Sequence, residues 1–222
     1  DRFGVLPIWA VQSHILPDGF SQLGALSASA AAFVLAATQN GWAGVRELFG
    51  RALIWRVNWR WWTFALLFPV LPSVAALYVF SALGGPAPDW SNLKPIWTVV
   101  PIMVVLIVLA GFGEEFGWRG FALPRLQQRF SPLVASVIIG TAWGIWHIPL
   151  FLTDGTVQSE WLAQGGWLVA VGGYTAFCIA WSIQYTWVFN STGGSVLLAA
   201  VMHGAGNAWF GSYIDVYRGH LG

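Results

Sequence analysis

The sequence predicts an all-α, polytopic membrane helix bundle of about six to eight transmembrane helices, organised as one transmembrane domain over residues 1–222. Three observations carry that prediction. Only 9% of residues are charged, where a soluble domain carries roughly 25%. Mean hydropathy is +0.64, and apolar stretches long enough to cross a bilayer recur along the chain. No repeat, low-complexity tract or soluble domain interrupts them. A net charge of only +1 gives no footing for nucleic acid.

Each element follows in order. Residues 1–19 are broken by Pro7 and Pro17 and begin without methionine or a signal-peptide pattern. They read as the tail of a preceding helix, so an N-terminal helix is expected to be missing. Phe20–Thr38 is a small-residue span suited to close helix packing. Gln39–Arg60 sets Leu48, Phe49, Leu53, Ile54 and Val57 at helical spacing among four arginines, and reads as an amphipathic surface helix. Trp61–Leu83 is a span interrupted by Pro69 and Pro72, and Gly84–Pro95 a loop. Ile96–Gly113 is a third span, continuing as helix to about Ala122. Leu133–Leu152, Gly165–Phe189 and Ser195–Phe210 complete the six. The single Cys178 lies in an apolar run and reads as a small core residue.

Basic residues orient the bundle. Segments 39–60 and 119–131 hold seven of the ten Lys and Arg, while 84–95 and 153–164 hold only Lys94 among acids. The arginine-rich side is therefore expected to face the cytosol, with the C-terminus opposite. The expected location is a prokaryotic inner membrane, with the site opening to the cytosolic side.

Glu114 and Glu115 follow the apolar run from Ile96 to Phe112. Ionisable groups at membrane depth are costly and mark functional sites; the plainer alternative sets both acids among headgroups past a helix end. Two further spans carry polar groups: His147 in Trp-Gly-Ile-Trp-His-Ile-Pro, and His203 with Asn207 in Met-His-Gly-Ala-Gly-Asn. A lone intrahelical His is usually a hydrogen-bonded structural residue. Three polar loci on three spans are instead expected to converge on one cavity. His203 and Asn207 are i, i+4, on one face about 6 Å apart. At about 1.5 Å per residue, Glu114 lies roughly 27 Å from Ile96, His203 about 12 Å into its helix and His147 about 21 Å into its own. These depths disagree by about 10 Å, which places the site loosely in the cytosolic half or midplane. At about 100° per residue, Glu115 and Arg119 lie about 40° apart and Glu114 and Arg119 about 140° apart. Glu115–Arg119 is therefore expected as a structural ion pair, leaving Glu114 to face the cavity.

Several chemistries fit such a cluster. No His-Glu-x-x-His motif occurs, yet Glu114, His147 and His203 could supply three zinc ligands. Ser195 faintly suggests a serine protease, but it lies roughly 12 Å along one helix from His203 and cannot bond to it. No Asp lies inside a confident span, so an aspartyl mechanism fails. A proton-coupled transporter would use inward polar groups, though paired repeats are absent. A non-catalytic membrane binding or immunity protein also remains.

The three motifs Glu114-Glu115-x-x-x-Arg119, Trp143-x-x-x-His147 and His203-x-x-x-Asn207, with Trp118, Gly120 and Leu123-Pro124, resemble the CPBP family of CAAX prenyl endopeptidases and bacteriocin-processing, abortive-infection-type membrane proteins. Trp143 stands where the second motif often has Phe. The resemblance implies an intramembrane glutamic endopeptidase in which Glu114 and His147 activate water and His203 and Asn207 form an oxyanion site. It also implies no cofactor, deciding against the zinc that the residues alone would allow. The implied partners are membrane lipids and a peptide or membrane-protein substrate, lipidated or not.

Overall fold

The computed structural model describes residues 19–154, 156–214 and 216. The expectation of a lost helix before residue 19 falls outside them, as does the direction of the C-terminus. Among the described residues every regular element is helical. Four helices are long and apolar enough to cross a membrane: Trp59–Ala82, Ile96–Leu126, Pro132–Phe151 and Val157–Ser191. The chain is an all-α, polytopic integral membrane protein.

Helix α1, Gly19–Gly50, joins the first expected span to the basic segment and breaks at Asn40–Gly41, where Gly41 takes φ +58°. That left-handed backbone is open to glycine and strained for most other residues. The amphipathic helix expected to reach Arg60 instead ends at Gly50. A 3₁₀ turn, Arg51–Leu53, follows. Asn58 then starts α2, Trp59–Leu67, by accepting the Arg60 backbone N–H at 3.0 Å. The Asn cap, a preferred helix start, takes Arg60 out of the basic helix. Pro69 lies at the junction between α2 and α3, Val70–Ala82, as expected of a residue that cannot donate to the helix ladder.

Helix α4, Ile96–Leu126, is not uniformly wound. Ile107–Gly111 and Phe116–Ala122 are π-helical and flank one α-helical turn, Phe112–Glu115. The polar pair thus rides on a narrow turn between two wide ones, a pattern frequent at functional sites. Next come α5, Pro132–Trp146, and the short α6, Ile148–Phe151, separated at His147 with Pro149 just beyond. Helix α7, Val157–Ser191, bends at Gly166, φ +68°. Helix α8, Val196–Ile214, ends the regular structure.

Small residues set the packing. A Cβ on Gly111 would lie 2.5 Å from the Ala200 carbonyl oxygen, and one on Gly204 would lie 2.4 Å from the Ile107 nitrogen. Helices α4 and α8 therefore meet backbone to backbone beside the Glu pair. Gly140 and Gly144 do the same between α5 and α7. Helix α8 is buried along most of Ser195–Ala205, so protein rather than lipid surrounds that half. This explains why it can carry His203, and its polar His203 and Asn207 lower its hydropathy and leave it outside the four apolar candidates.

The depth discrepancy narrows through overhang. Helix α4 runs 31 residues, to Leu126, so Glu114 lies only about 18 Å from its far end. Ser195 fixes the start of α8, accepting the Leu198 N–H at 3.1 Å and donating to the Ile54 carbonyl at 2.7 Å. That hydroxyl is a helix cap.

Candidate active site

The Glu pair is enclosed: Glu114 is 5% exposed, Glu115 and Arg119 0%, His203 4% and His147 8%. Charges so buried need partners. Arg119 Nη1 lies 3.1 Å from Glu115 Oε2 and donates to Oε1 at 3.2 Å. This is the i, i+4 pair expected from spacing. It survives the π-winding because a turn closed by i→i+5 bonds still sets i and i+4 on one face. The guanidinium also lies 4.5 Å from the Tyr185 ring centroid and 5.2 Å from that of Trp143, close enough for cation–π attraction.

Glu115 does more than balance Arg119. Its Oε1 is 2.8 Å from His203 Nδ1. A carboxylate paired to a permanently charged guanidinium only accepts, so His203 donates through Nδ1. His147 is fixed in a parallel manner: its Nδ1 is 2.8 Å from the Trp143 carbonyl oxygen, which also only accepts. Both rings thus spend Nδ1–H on protein groups and keep Nε2.

Glu114 takes a different partner. Its Oε2 accepts the Trp143 indole N–H at 2.6 Å. The Trp143 ring lies 5.8 Å from that of His147 and 5.6 Å from that of His203. The structure thus gathers residues from α4, α5 and α8 around one indole. Asn207 stands apart. One turn beyond His203, it is exposed, and no hydrogen bond is formed by its amide among the described residues.

Sequence reading missed the Trp143 N–H, the Tyr185 face stacked at 5.8 Å on His203, and Tyr174, 5.0 Å from His147. Each is an aromatic with a polar tip in an apolar span, and buried Trp and Tyr tips usually find partners. That was the available signal.

Residues 95–209, just over half of the chain, match the family model described as type II CAAX prenyl endopeptidase, Rce1-like. The chain belongs to that family. The resemblance drawn from three short motifs is borne out, and the Rce1-like region encloses every candidate residue from Glu114 to Asn207. The chain is also similar to CAAX prenyl protease 2 of Methanococcus maripaludis, 35% identical over 106 residues, or 47% of this chain and 37% of that protein. The aligned region thus spans little more than a third of that relative's length.

Proposed function

We propose that this chain is an intramembrane endopeptidase that hydrolyses a peptide bond with water activated by Glu114 and His147. The observation that carries the reading is the joint placement of Glu114 and His147 on Trp143, with His147 Nε2 left unclaimed among the described residues. Glu114 Oε1 takes a proton from water while His147 Nε2 orients it; the oxygen attacks the scissile carbonyl carbon. The carbonyl oxygen becomes an oxyanion, for which His203 and the Asn207 amide serve as donors. Because His203 Nδ1–H is already given to Glu115, donation from Nε2 requires the imidazolium; with Arg119 it makes two positive charges, which the Glu114 and Glu115 carboxylates together balance. Glu114 then passes its proton to the leaving nitrogen as the C–N bond breaks.

The reading uses no metal. What supports this is side-chain placement: among the described residues no three His, Cys, Asp or Glu side chains are gathered to hold an ion. Elemental analysis of active protein tests it, since stoichiometric zinc whose removal abolishes activity would overturn it. The substrate class is a peptide segment of a membrane-associated protein. The relative's name makes a prenylated C-terminal peptide the first to try. The arginine-rich segments 39–60 and 119–131 set the cytosolic side in this reading.

Cleavage of peptide and prenyl-peptide libraries in liposomes, with Glu114→Ala as control, is the test. Cleavage lost on that substitution supports an endopeptidase. A protein that cleaves nothing, or whose cellular function is untouched by Glu114→Gln, is a binding protein or transporter instead.

A further inference from the structure

The second motif asks of position 143 only an aromatic ring, which Phe would supply. The indole found there does more. Its Nε1–H donates to Glu114 Oε2 at 2.6 Å, while the same residue's carbonyl accepts from His147 Nδ1 at 2.8 Å. Glu114 belongs to α4 and His147 to the end of α5, so the groups that must act on one water sit on separate helices.

We propose that Trp143 is a positioning residue that locks the Glu114 carboxylate to the His147 imidazole across the two helices; this rests on the endopeptidase reading above. Misplacement by about 1 Å can cost about 10²-fold in rate, so a bridge between the helices matters. The bridge is chemically suited to the task. Indole N–H donates only, so it cannot take the proton that Glu114 must carry. By occupying Oε2 it turns Oε1 towards water. The ring has little freedom to swing away: the Arg119 guanidinium lies 5.2 Å from its centroid, and the Tyr185 and His203 rings at 5.9 and 5.6 Å. Trp143 itself is 5% exposed.

The test uses the full chain in liposomes with any peptide that it cleaves. Two changes remove the donor: Trp143→Phe, and replacement of Trp143 by 3-benzothienylalanine, which keeps the bicyclic shape and puts sulfur where the N–H stood. Both leave the backbone carbonyl to His147. A hydrogen bond to a carboxylate is lost in each, and kcat should fall about 10- to 100-fold. KM should stay within about twofold, since the bond acts on the base and not on ground-state binding. The isostere should melt at the unsubstituted temperature. An isostere with full kcat per folded molecule would overturn the proposal, as would a loss confined to thermal stability. The Glu114→Ala control separates the two levels. If the unsubstituted chain cleaves, Glu114→Ala does not, and the isostere is unaffected, the endopeptidase reading stands and the role of Trp143 falls. If the unsubstituted chain cleaves nothing, both fall together.

Discussion

Glu114 accepts one hydrogen bond among the described residues, at Oε2. Glu114→Gln keeps the size and the acceptor for the indole but removes the base. We expect turnover to fall about 10²–10⁴-fold, the usual worth of a positioned base, with unchanged melting temperature; cleavage kinetics beside a thermal melt check it. Glu115→Gln should behave in the opposite manner. It leaves Arg119 buried without its counter-charge, which costs about 3–5 kcal/mol, so a clear drop in melting temperature in detergent is the expected result. Asn207 is exposed and makes no interhelical bond among the described residues. Asn207→Ala should therefore leave the melt unchanged while kcat drops about 10²–10³-fold, as for one oxyanion donor. A destabilised but fully active variant would remove Asn207 from the mechanism. At this scale the acids and histidines were legible because ionisable groups in apolar helices are expensive. The Glu115–His203 contact was not. It joins positions 88 residues apart, and no local spacing reports it.

Between elements, the tightest constraint is the meeting of α4 with α8. Gly204→Ala would set a Cβ 2.4 Å from Ile107 backbone, and backbone cannot swing aside as a side chain can. The helices must part, at a cost of about 1–3 kcal/mol or more, and the Glu115–His203 bond should lengthen with them. Loss of both stability and turnover is expected. Gly172→Ala is the control: its Cβ meets nothing within 4 Å, so helix propensity should raise stability by about 0.5–1 kcal/mol. Thermal melts of the two variants side by side decide it. Span positions were readable from hydropathy and prolines, as at Pro69 and Pro149. The π-windings were not, because Ile107–Gly111 and Phe116–Ala122 contain no breaker beyond ordinary glycines. The basic helix was drawn too long for a related reason: Leu53, Ile54 and Val57 keep helical spacing, but Asn58 begins a new helix.

For the molecule as a whole, the arginine asymmetry predicts an orientation that labelling can check. Single cysteines at Arg51 and Gln158 lie on opposite sides in the proposed topology. From outside intact cells a membrane-impermeant thiol reagent should label position 158 and spare position 51. The native Cys178 is 0% exposed and should contribute no background. Labelling of 51 and not 158 would invert the bundle and move the site mouth to the other face.

The containment of one ion pair within a single turn bears on how the protein enters its membrane. Glu115 and Arg119 are four residues apart on α4, so their union needs no second helix and can form as soon as the segment coils. A nascent α4 leaving the translocon thus carries its own counter-ion. Each acidic or basic residue at a helix centre adds about 2.5–3.5 kcal/mol to insertion, and the internal pair relieves two of the three. Glu114 is the remainder. Its partner, Trp143, belongs to the next span, and His203 arrives with the last. Synthesis order therefore presents Glu114 before its indole partner, and the apolar run Ile96–Leu106 offsets the cost of inserting it.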